Sequence, residues 1–463
     1  MAASHAVSRS PLITLPDDVL AAISRQLTTS DQLLLGRLVL QQGSKAAATD
    51  TTSTVPAVEP VSAIPAASCK LLRGLRAAAA SAVLSHITAC TVKLPHSSSL
   101  DSLALLPNLQ KLTLLVQQDS STQNMCGTAA AVSSLAQLPA LKSLKIVRPQ
   151  PLSHLPFTVS LASAIGSLQR LKELSLSGVV IPARGTATAA ACAQHIASLP
   201  NLKCLQAPAL LSMVQPQHAV AAVHALGRLL PQLHSLKLPD SNLEGPAAAA
   251  LLEGLLGCTS SSSSRESSFA TSSSRSSGSS SCCCLQVLDL SGNHHMFAAF
   301  AEASACSADC SSSSSSSSCS SQANVKQTIR QGLAALVAGS SLQELLLADT
   351  GMTQDDLAAI FSSSSSGQQL VRLDVHNNRL LARGDPLLLG KCLQHLQGLQ
   401  HLNISWITLG PEGVAFASCL ASLRMLVMSG TRAGPAAIAA LHKARPGLKC
   451  LELFDSLEAN AGW

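Results

Sequence analysis

The nine residues LQVLDLSGN (residues 285–293) decide the fold of this chain, because their leucines recur elsewhere at the same spacing. Leu288 and Leu290 flank a polar residue, and such alternation is typical of a short strand with one buried face. Leu285 precedes them by three residues and extends the apolar set. The stretch LVRLDVHNN (residues 370–378) has the same arrangement. In both we expect the fourth and sixth residues to face a core and the residue between them to face solvent.

The pattern LxxLxL, with some aliphatic substitutions, occurs in series along most of the chain. Its eleven copies begin at Leu109, Leu141, Leu171, Leu202, Leu233, Leu285, Leu342, Leu370, Leu399, Leu423 and Leu448. A pattern that recurs in this way indicates stacked repeats rather than one irregular core. The composition agrees, because 47% of the residues are hydrophobic and only 2% are aromatic. Thin repeated layers can be filled by Leu, Ala and Val alone.

Helices are predicted between the strands. Residues 245–256 are rich in Ala and Leu and begin with Gly-Pro. Residues 353–361 begin with Thr353, which can cap a helix whose first turn carries Asp355 and Asp356. Each repeat is then a strand, a loop and a helix. Since helices are wider than strands, stacking such units bends the array into a horseshoe with the strands on its concave face.

This repeat closely resembles that of the leucine-rich-repeat family, in its long form with a helical convex side. Both quoted stretches match the family consensus through its asparagine, at Asn293 and Asn378. The resemblance implies an α/β solenoid with a parallel inner sheet over residues 91–463. It also implies that each asparagine links the backbones of neighbouring coils. Where it is replaced we expect irregular hydrogen bonding, namely at Gln117, Val179, Ser241, Thr350, Ile407 and Thr431.

Serine-rich stretches at residues 259–284 and 304–323 lengthen two of the repeats. Such tracts bury too little apolar surface to offset the entropy lost on ordering, so we expect disordered inserts. Removing about two dozen residues from each interval restores a normal repeat. The favoured interpretation is neutral low-complexity expansion, and the alternative is regulation by phosphorylation.

Residues 1–42 are predicted to form a helical hairpin, followed by a low-complexity linker (43–67) and a helical cap (68–90). An apolar stripe at helical spacing follows an exposed Leu-Pro start. The start and the stripe consist of Leu15, Pro16, Val19, Leu20, Ile23 and Leu27.

This hairpin resembles an F-box, the short helical module that docks a substrate receptor onto the adaptor of a cullin-based ubiquitin ligase. The resemblance rests on the Leu-Pro start, the stripe, Asp31 and residues 37–39. It implies that the six residues named above contact the adaptor. Residues 40–42 depart from the family pattern. The alternative is a cap that covers the core edge of the first repeat, which every solenoid needs. The two roles are compatible.

The outward residues of the predicted inner sheet form the candidate surface for a protein target. They are Lys111, Lys145, Arg148, Lys172, Lys237, Asp289, Arg372, Asp374, His376, His401, Asn403, Trp406 and Glu452. Adjacent strands lie about 4.8 Å apart, so these side chains would form one surface that changes from basic to mixed and acidic. Trp406 has the most weight because Trp is enriched among interface anchors. The alternative is its burial under the following loop.

Catalytic chemistry is not predicted. The sequence contains no nucleophile elbow, no Walker loop and no HExxH motif. His376, His401 and Asp374 could approach one another on adjacent strands, but nothing supplies a nucleophile or a metal cage. An exposed polar ladder is the favoured interpretation. We therefore expect no enzyme activity, no cofactor, no metal and no small-molecule substrate.

Composition also limits the partners. A net charge of +6 is too dilute over a large surface to indicate nucleic-acid binding. Residues 77–92 are too short and too polar to span a membrane. We see no signal peptide and no recurring CxxC pair among the 15 cysteines. A reduced intracellular protein is expected, cytoplasmic in the first instance, with nuclear, cytoskeletal and ciliary locations open.

The leading functional hypothesis follows from the two resemblances. It is the substrate-recognition subunit of a cullin-type ubiquitin ligase, which binds the adaptor through its hairpin and a protein target on the concave face. The alternative is a leucine-rich-repeat scaffold or regulator, cytoskeletal, ciliary or linked to a small GTPase, with no ubiquitin role.

Overall fold

The computed structural model describes most of the repeat region. The described residues are 88–94, 103, 106, 108–116, 125–148, 154–182, 185–227, 229, 232–260, 284–298, 316–339, 341–361, 369–383 and 385–451. The predicted F-box-like hairpin, the linker, residues 68–87 of the cap and Glu452 lie outside this set. None of the helices in the described ranges is long and apolar enough to cross a membrane.

Strands and helices alternate along the described chain. The strands are β1 (Ala89–Leu94), β2 (Lys111–Val116), β3 (Ser143–Val147), β4 (Leu155–Pro156), β5 (Glu173–Ser177), β6 (Val179–Val180), β7 (Cys204–Gln206), β8 (Ser235–Lys237), β9 (Val287–Asp289), β10 (Glu344–Leu346), β11 (Arg372–Asp374), β12 (His401–Asn403), β13 (Met425–Val427) and β14 (Lys449–Leu451).

The helices follow the strands in the order that the repeat pattern predicts. They are α1 (Met125–Ser134), α2 (Val159–Gly166), α3 (Thr186–Ala197), α4 (Pro216–Leu226), α5 (Gly245–Ser260), α6 (His295–Ala298), α7 (Ser316–Gly339), α8 (Gln354–Phe361), α9 (Pro386–Leu393), α10 (Gly410–Val414) and α11 (Pro435–Ala444). Short 3-10 helices lie at Leu135–Gln137, Arg379–Arg383 and Ala415–Cys419.

The chain divides into two compact units. The first contains residues 1–154 and 160–178. Within it, strands β1, β2, β3 and β5 pair side by side and in parallel. Leu112, Leu144 and Leu174 are successive partners across three of these strands, and each is 1% exposed. The leucines at the fourth position of each repeat therefore stack in one buried column.

The second unit contains residues 155–159 and 179–463. Strands β7 to β14 pair in parallel in sequence order, and β4 and β6 form a separate parallel pair. Helices of successive repeats pack against one another, as α3 does on α4 and α7 on α8. The predicted α/β class and parallel sheet are confirmed.

The stretch that decides the fold behaves as predicted. Leu285, Leu288 and Leu290 are fully buried, while Asp289 between them is half-buried. At about 2–5 kcal/mol for a buried leucine replaced by alanine, each such column contributes substantially to stability. Among the described residues, Phe157, Phe297 and Phe361 are the largest fully buried side chains, and none of the three lies in a strand.

The two consensus asparagines link neighbouring coils, as the resemblance implies. The Asn293 side chain donates to the carbonyls of Leu238 (3.1 Å) and Leu290 (2.7 Å) and accepts from Leu243 N (2.9 Å). Two of the replacements form fewer side-chain links. The Thr431 hydroxyl donates to Met428 O of its own coil at 2.9 Å, and the Ser241 hydroxyl donates to Ala207 O of the preceding coil at 3.5 Å. Hydrogen bonding between coils is irregular, as predicted.

Two boundaries differ from the predictions. Strand β1 begins inside the predicted helical cap at residues 68–90, and Cys90 takes the place that leucine has in other repeats. Helix α7 begins at Ser316, inside the serine stretch predicted as disordered at 304–323. Once the buried Ile329 and Leu333 anchor a helix, each further turn costs little, so the helix extends into a weakly helical sequence.

One backbone feature recurs at the end of the strands. Counting the first leucine of each LxxLxL as position 1, the residue at position 8 has a positive φ in eight repeats. These residues are Gly178, Ala209, Asp240, Gly292, Asp349, Asn377, Trp406 and Gly430. Glycine, asparagine and aspartate tolerate this left-handed conformation. A tryptophan in it is unusual.

Candidate protein-binding surface

The solvent-facing side of the strands, called the strand face below, carries most of the residues predicted to bind a target. Exposed members are Lys111, Lys145 and Lys172 in the first unit, and Arg372 and Trp406 in the second. Half-buried members, all in the second unit, are Lys237, Asp289, Asp374, His376, His401 and Asn403.

Arg148 is the exception, and its predicted place on the exposed face is wrong. It stands at position 8 of its repeat and is only 7% exposed. Its Nε and Nη1 atoms have no hydrogen-bond partner among the described residues, and burial lowers the pKa of the guanidinium. The pattern gave no warning, because position 8 lies past the strand, where inward and outward sides no longer alternate.

Side chains at position 8 lie over the glycine at position 8 of the next repeat. A Cβ atom built on Gly178 would be 3.0 Å from the Arg148 Cβ. One built on Gly292 would be 1.9 Å from Asp240 Oδ1. One built on Gly430 would be 2.8 Å from Cε3 of the Trp406 indole. In these three pairs the glycine provides the space that its neighbour's side chain occupies.

Trp406 is therefore both exposed and held in place. Its φ is +62°, its side chain is 51% exposed, and its indole lies against the backbone of Gly430. Its backbone N–H donates to Ser429 O at 2.7 Å. The predicted alternative, burial under the following loop, does not occur.

Asn403, three residues before Trp406, takes part in a polar cluster with Asp374 and His376. Asp374 and Asn403 are directly opposite on β11 and β12. The Asn403 amide donates to Asp374 Oδ2 at 3.1 Å, and His376 Nδ1 lies 2.7 Å from Asp374 Oδ1. Asp374 Oδ1 also accepts from the backbone N–H of His376 at 3.1 Å. The cluster holds its side chains in one arrangement.

The cluster shifts the ionisation of both titratable groups. Burial alone would raise the pKa of the Asp374 carboxyl, but hydrogen bonds from His376 and Asn403 outweigh it and lower the pKa. The hydrogen bond to Asp374 raises the pKa of His376 despite partial burial, and the negative charges of Asp374 and Asp349 add to the effect. An aspartate–histidine ion pair is favoured.

His401 does not join this cluster. It lies opposite Arg372 at the start of the strands, so the register separates it from His376. A second pair lies one repeat away, where His294 Nδ1 is 2.9 Å from Asp349 Oδ1. The favoured interpretation of a polar ladder is supported, because Asp374 and Asn403 bond across strands. Within the described ranges, no group of three His, Cys, Asp or Glu residues is placed to hold a metal ion.

The charge of the strand face changes sign inside the second unit. Residues 233–244, 285–296 and 342–353, which contain β8 to β10, carry five acidic residues and one lysine. Residues 370–381, 399–410, 423–434 and 448–451, which contain β11 to β14, carry five basic residues and one aspartate. The predicted change from a basic to a mixed and acidic surface is therefore incomplete. Within the described residues its last strands are basic again, whereas Glu452 and Asp455, which follow β14 in sequence, lie outside them.

Among known proteins, similarity to this chain is found in solved structures. No protein-family model and no curated protein matches the chain. Among solved structures, the chain is similar to an internalin from Listeria monocytogenes, with 14% sequence identity and a TM-score of 0.36. The similarity covers 84% of this chain and 94% of the internalin chain.

Proposed function

We propose that this protein binds another protein on its strand face and that Trp406 is an anchor of the interface. The observation that carries the proposal is an exposed indole on left-handed backbone, fixed against Gly430. Backbone strain of this kind costs about 1–3 kcal/mol and clusters at functional sites. The left-handed backbone recurs at this position in eight repeats, but the fold does not require a tryptophan there, because Gly, Asp, Asn or Ala occupy the position in the other repeats.

A fixed aromatic side chain is suited to binding. Little side-chain entropy is lost when a partner covers a ring that already has one orientation. Tryptophan is also among the residues that most often dominate binding energies. The neighbouring Asp374, His376 and Asn403 provide a polar border with fixed geometry.

The test is to capture partners from cells with the tagged full chain and to quantify each by mass spectrometry. Trp406→Ala should reduce at least one specific partner by tenfold or more, consistent with an anchor worth about 2 kcal/mol. The matched control is Leu387→Ala in α9, because Leu387 is 53% exposed and lies on the helical side. Retention of every partner by the Trp406 variant would overturn the proposal.

A more specific role is proposed for the hairpin. We propose that residues 1–42 bind the adaptor of a cullin-type ubiquitin ligase, so that the target on the strand face is ubiquitylated. The Leu15-Pro16 start and the stripe ending at Leu27 support this role. Deletion of residues 1–42, or Leu20→Asp with Ile23→Asp, should abolish co-purification with the adaptor and leave target binding unchanged. An adaptor that still binds, or never binds, contradicts this role.

The alternative role is a scaffold or regulator without a ubiquitin link. It is favoured by a binding surface that lies wholly within the repeats. It predicts that targets bind through Trp406, that deletion of residues 1–42 changes nothing and that target half-life is unaffected. A cytoplasmic location is proposed for either role, since Cys192 and Cys392 are buried as free thiols.

A further inference from the structure

We infer that the last strands of the second unit bind an acidic polypeptide segment, with one of its side chains packed on Trp406. The surface is called the basic end below. It consists of Arg372, Arg379, Arg424, Arg432, Lys449 and Trp406. The inference rests on the proposed function and adds the chemistry of the partner.

The basic end carries positive charge without fixed counter-ions among the described residues. All five cationic residues of the basic end are exposed, and none takes part in the ion pairs found in the described part of the chain. Arg379 makes only a long contact to Asn377 Oδ1, at 3.5 Å. Exposed cations without fixed counter-ions raise the local potential and attract an oppositely charged partner.

The carboxylates that the structure describes nearby do not cancel this charge. Asp374 is paired with His376 at 2.7 Å and accepts from Asn403 at 3.1 Å, so the cluster contributes little net negative charge when His376 is protonated. Glu344 lies opposite Arg372 on β10, at the border of the basic end. Beyond it Asp349, Asp289 and Asp240 would repel an acidic segment. Such a segment is therefore confined to β11 to β14.

Two arginines of the basic end flank the repeat that carries Trp406. Arg379 and Arg432 stand at position 10 of the repeats on either side of the one that carries Trp406. The repeat that carries Trp406 thus lies between the two repeats that carry these exposed arginines. Four strands spaced about 4.8 Å apart span about 14 Å. An extended segment of four or five residues, at about 3.3 Å per residue, would cross them. Its carboxylates would reach Arg379 and Arg432, and an apolar or aromatic residue would cover Trp406. The cations at the strand starts, Arg372, Arg424 and Lys449, would add attraction at longer range.

A protein is favoured over a nucleic acid as the anion. Single-stranded nucleic acids stack successive bases on several aromatic side chains. Of the exposed large hydrophobic residues in the described ranges, Trp406 alone is aromatic. Acidic residues on β8 to β10 would also interrupt the path of a long phosphate backbone.

The experiment uses the full chain with Trp463→Phe, which leaves Trp406 as the single tryptophan. The probe is a fluorescein-labelled ten-residue peptide with six glutamates and one central phenylalanine. Its controls are the same peptide with lysines for glutamates and an oligo-dT of equal charge. Binding is measured by anisotropy, and contact with the indole by Trp406 emission.

The glutamate peptide should bind, shift the Trp406 emission and dissociate as salt is raised. Arg424→Glu with Arg432→Glu should weaken it at least tenfold, and Trp406→Ala at least fivefold. Lys111→Glu with Lys145→Glu, a charge reversal of equal size at exposed sites of the first unit, should weaken it less than twofold. Thermal unfolding of each variant confirms folding.

Three results overturn the inference. They are no binding of the glutamate peptide, equal loss in the first-unit control, and tighter binding of oligo-dT through the same arginines. Failure here is distinct from failure of the proposed function. If cellular partners still depend on Trp406 while the glutamate peptide does not bind, the surface is a binding site for a partner of other chemistry.

Discussion

At the scale of single residues, the row at position 8 shows how neighbouring repeats accommodate one another. A large side chain on one repeat is followed by glycine on the next in the pairs Arg148–Gly178, Asp240–Gly292 and Trp406–Gly430. Each of these pairs joins two residues that are distant in sequence and adjacent only across neighbouring coils. The LxxLxL spacing does not indicate the direction in which a side chain at position 8 points, so these three pairs could not be predicted from the sequence alone.

Gly430→Ala should destabilise the protein and displace the Trp406 ring. An alanine at a φ of +70° costs about 1–2 kcal/mol, and its Cβ would lie 2.8 Å from the indole. Gly434→Ala is the matched control, because Gly434 has a φ of +77° and nothing within 4 Å of a built Cβ. Urea unfolding should show that Gly430→Ala lowers the free energy of unfolding more than Gly434→Ala does. Equal losses would mean that the indole does not lie against Gly430.

The Asp374–His376 pair predicts a pH dependence of stability. The raised pKa of His376 contributes to the free energy of unfolding. This contribution is complete below the pKa of histidine in the unfolded chain, about 6.5, and is lost as the pH rises through the pKa of His376 in the folded protein. The lowered pKa of Asp374 also stabilises the folded protein. This contribution is present above the pKa of aspartate in the unfolded chain, about 3.9, and is lost as the pH falls through the pKa of Asp374 in the folded protein. The pair is therefore most stabilising between about pH 4 and 6.5.

Asp374→Asn should lower the pKa of His376, because it removes the hydrogen bond and the negative charge that raise it. An NMR titration of the His376 ring measures this shift directly. Asp289→Asn is the control, since Asp289 stands at the same position of its own repeat and accepts from Ser291 N instead. A His376 pKa that stays the same in Asp374→Asn would show that the pair does not form.

At the scale of elements, buried polar side chains hold strands and helices to their neighbours. Asn378 donates to Leu347 O (2.8 Å) and Val375 O (2.9 Å) and accepts from the backbone N–H groups of Thr350 (3.0 Å) and Met352 (3.1 Å). One side chain thus satisfies four buried backbone groups. The consensus match predicted its role, whereas its bonding partners required the structure.

Asn378→Ala should lower the free energy of unfolding by about 3 kcal/mol, because buried donors and acceptors would be left without partners. The adjacent Asn377→Ala is the control. It is half-buried and has a φ of +57°, so its loss should stay near 1 kcal/mol. Urea denaturation measures both. A smaller loss for Asn378→Ala than for Asn377→Ala would contradict the account of the coil links.

Helix α7 is tied to α8 by a carboxylate with no solvent exposure. Asp356 accepts from Arg330 Nε (2.7 Å) and Lys326 Nζ (3.2 Å) of α7 and from the N–H (2.8 Å) and hydroxyl (2.6 Å) of Thr353. Asp356→Ala should cost about 2–4 kcal/mol, since it breaks a buried ion pair and a helix cap. Asp355→Ala, at an exposed neighbour in the same turn, should cost under about 0.5 kcal/mol. Similar effects in a thermal unfolding series would rule out the tie.

At the scale of the whole molecule, the sequence predicted those features of the fold that follow from the repeat period. The columns of buried leucine, the parallel pairing and the helices after the strands follow from LxxLxL and its spacing. The start of strand β1 at Ala89 lies two residues before the predicted start of the repeats at residue 91, and no LxxLxL copy marks this strand because Cys90 stands where leucine defines the pattern. Leu346 stands at an outward position of β10 yet is 9% exposed, because its burial depends on Asp289 and Asp374 on both sides, which are adjacent only in the fold.

The candidate surface was predicted less completely. Trp406, Asp374 and Asn403 were identified from their repeat positions, but nothing in the sequence indicated the left-handed backbone at Trp406 or the burial of Arg148. The basic end was also missed, because Arg379, Arg424 and Arg432 stand at the margins of the pattern rather than at its central outward position.

We expect the strand face, and not the helical side, to contact the target. The most direct measurement replaces Trp406, His401 or Leu387 in turn with a photo-crosslinking phenylalanine derivative in the full chain and identifies the adducts formed in cells. We predict that positions 406 and 401 crosslink to the same protein, in amounts reduced by Arg432→Glu, and that position 387 does not. Crosslinking of that protein at position 387 but not at 406 or 401 would contradict the account.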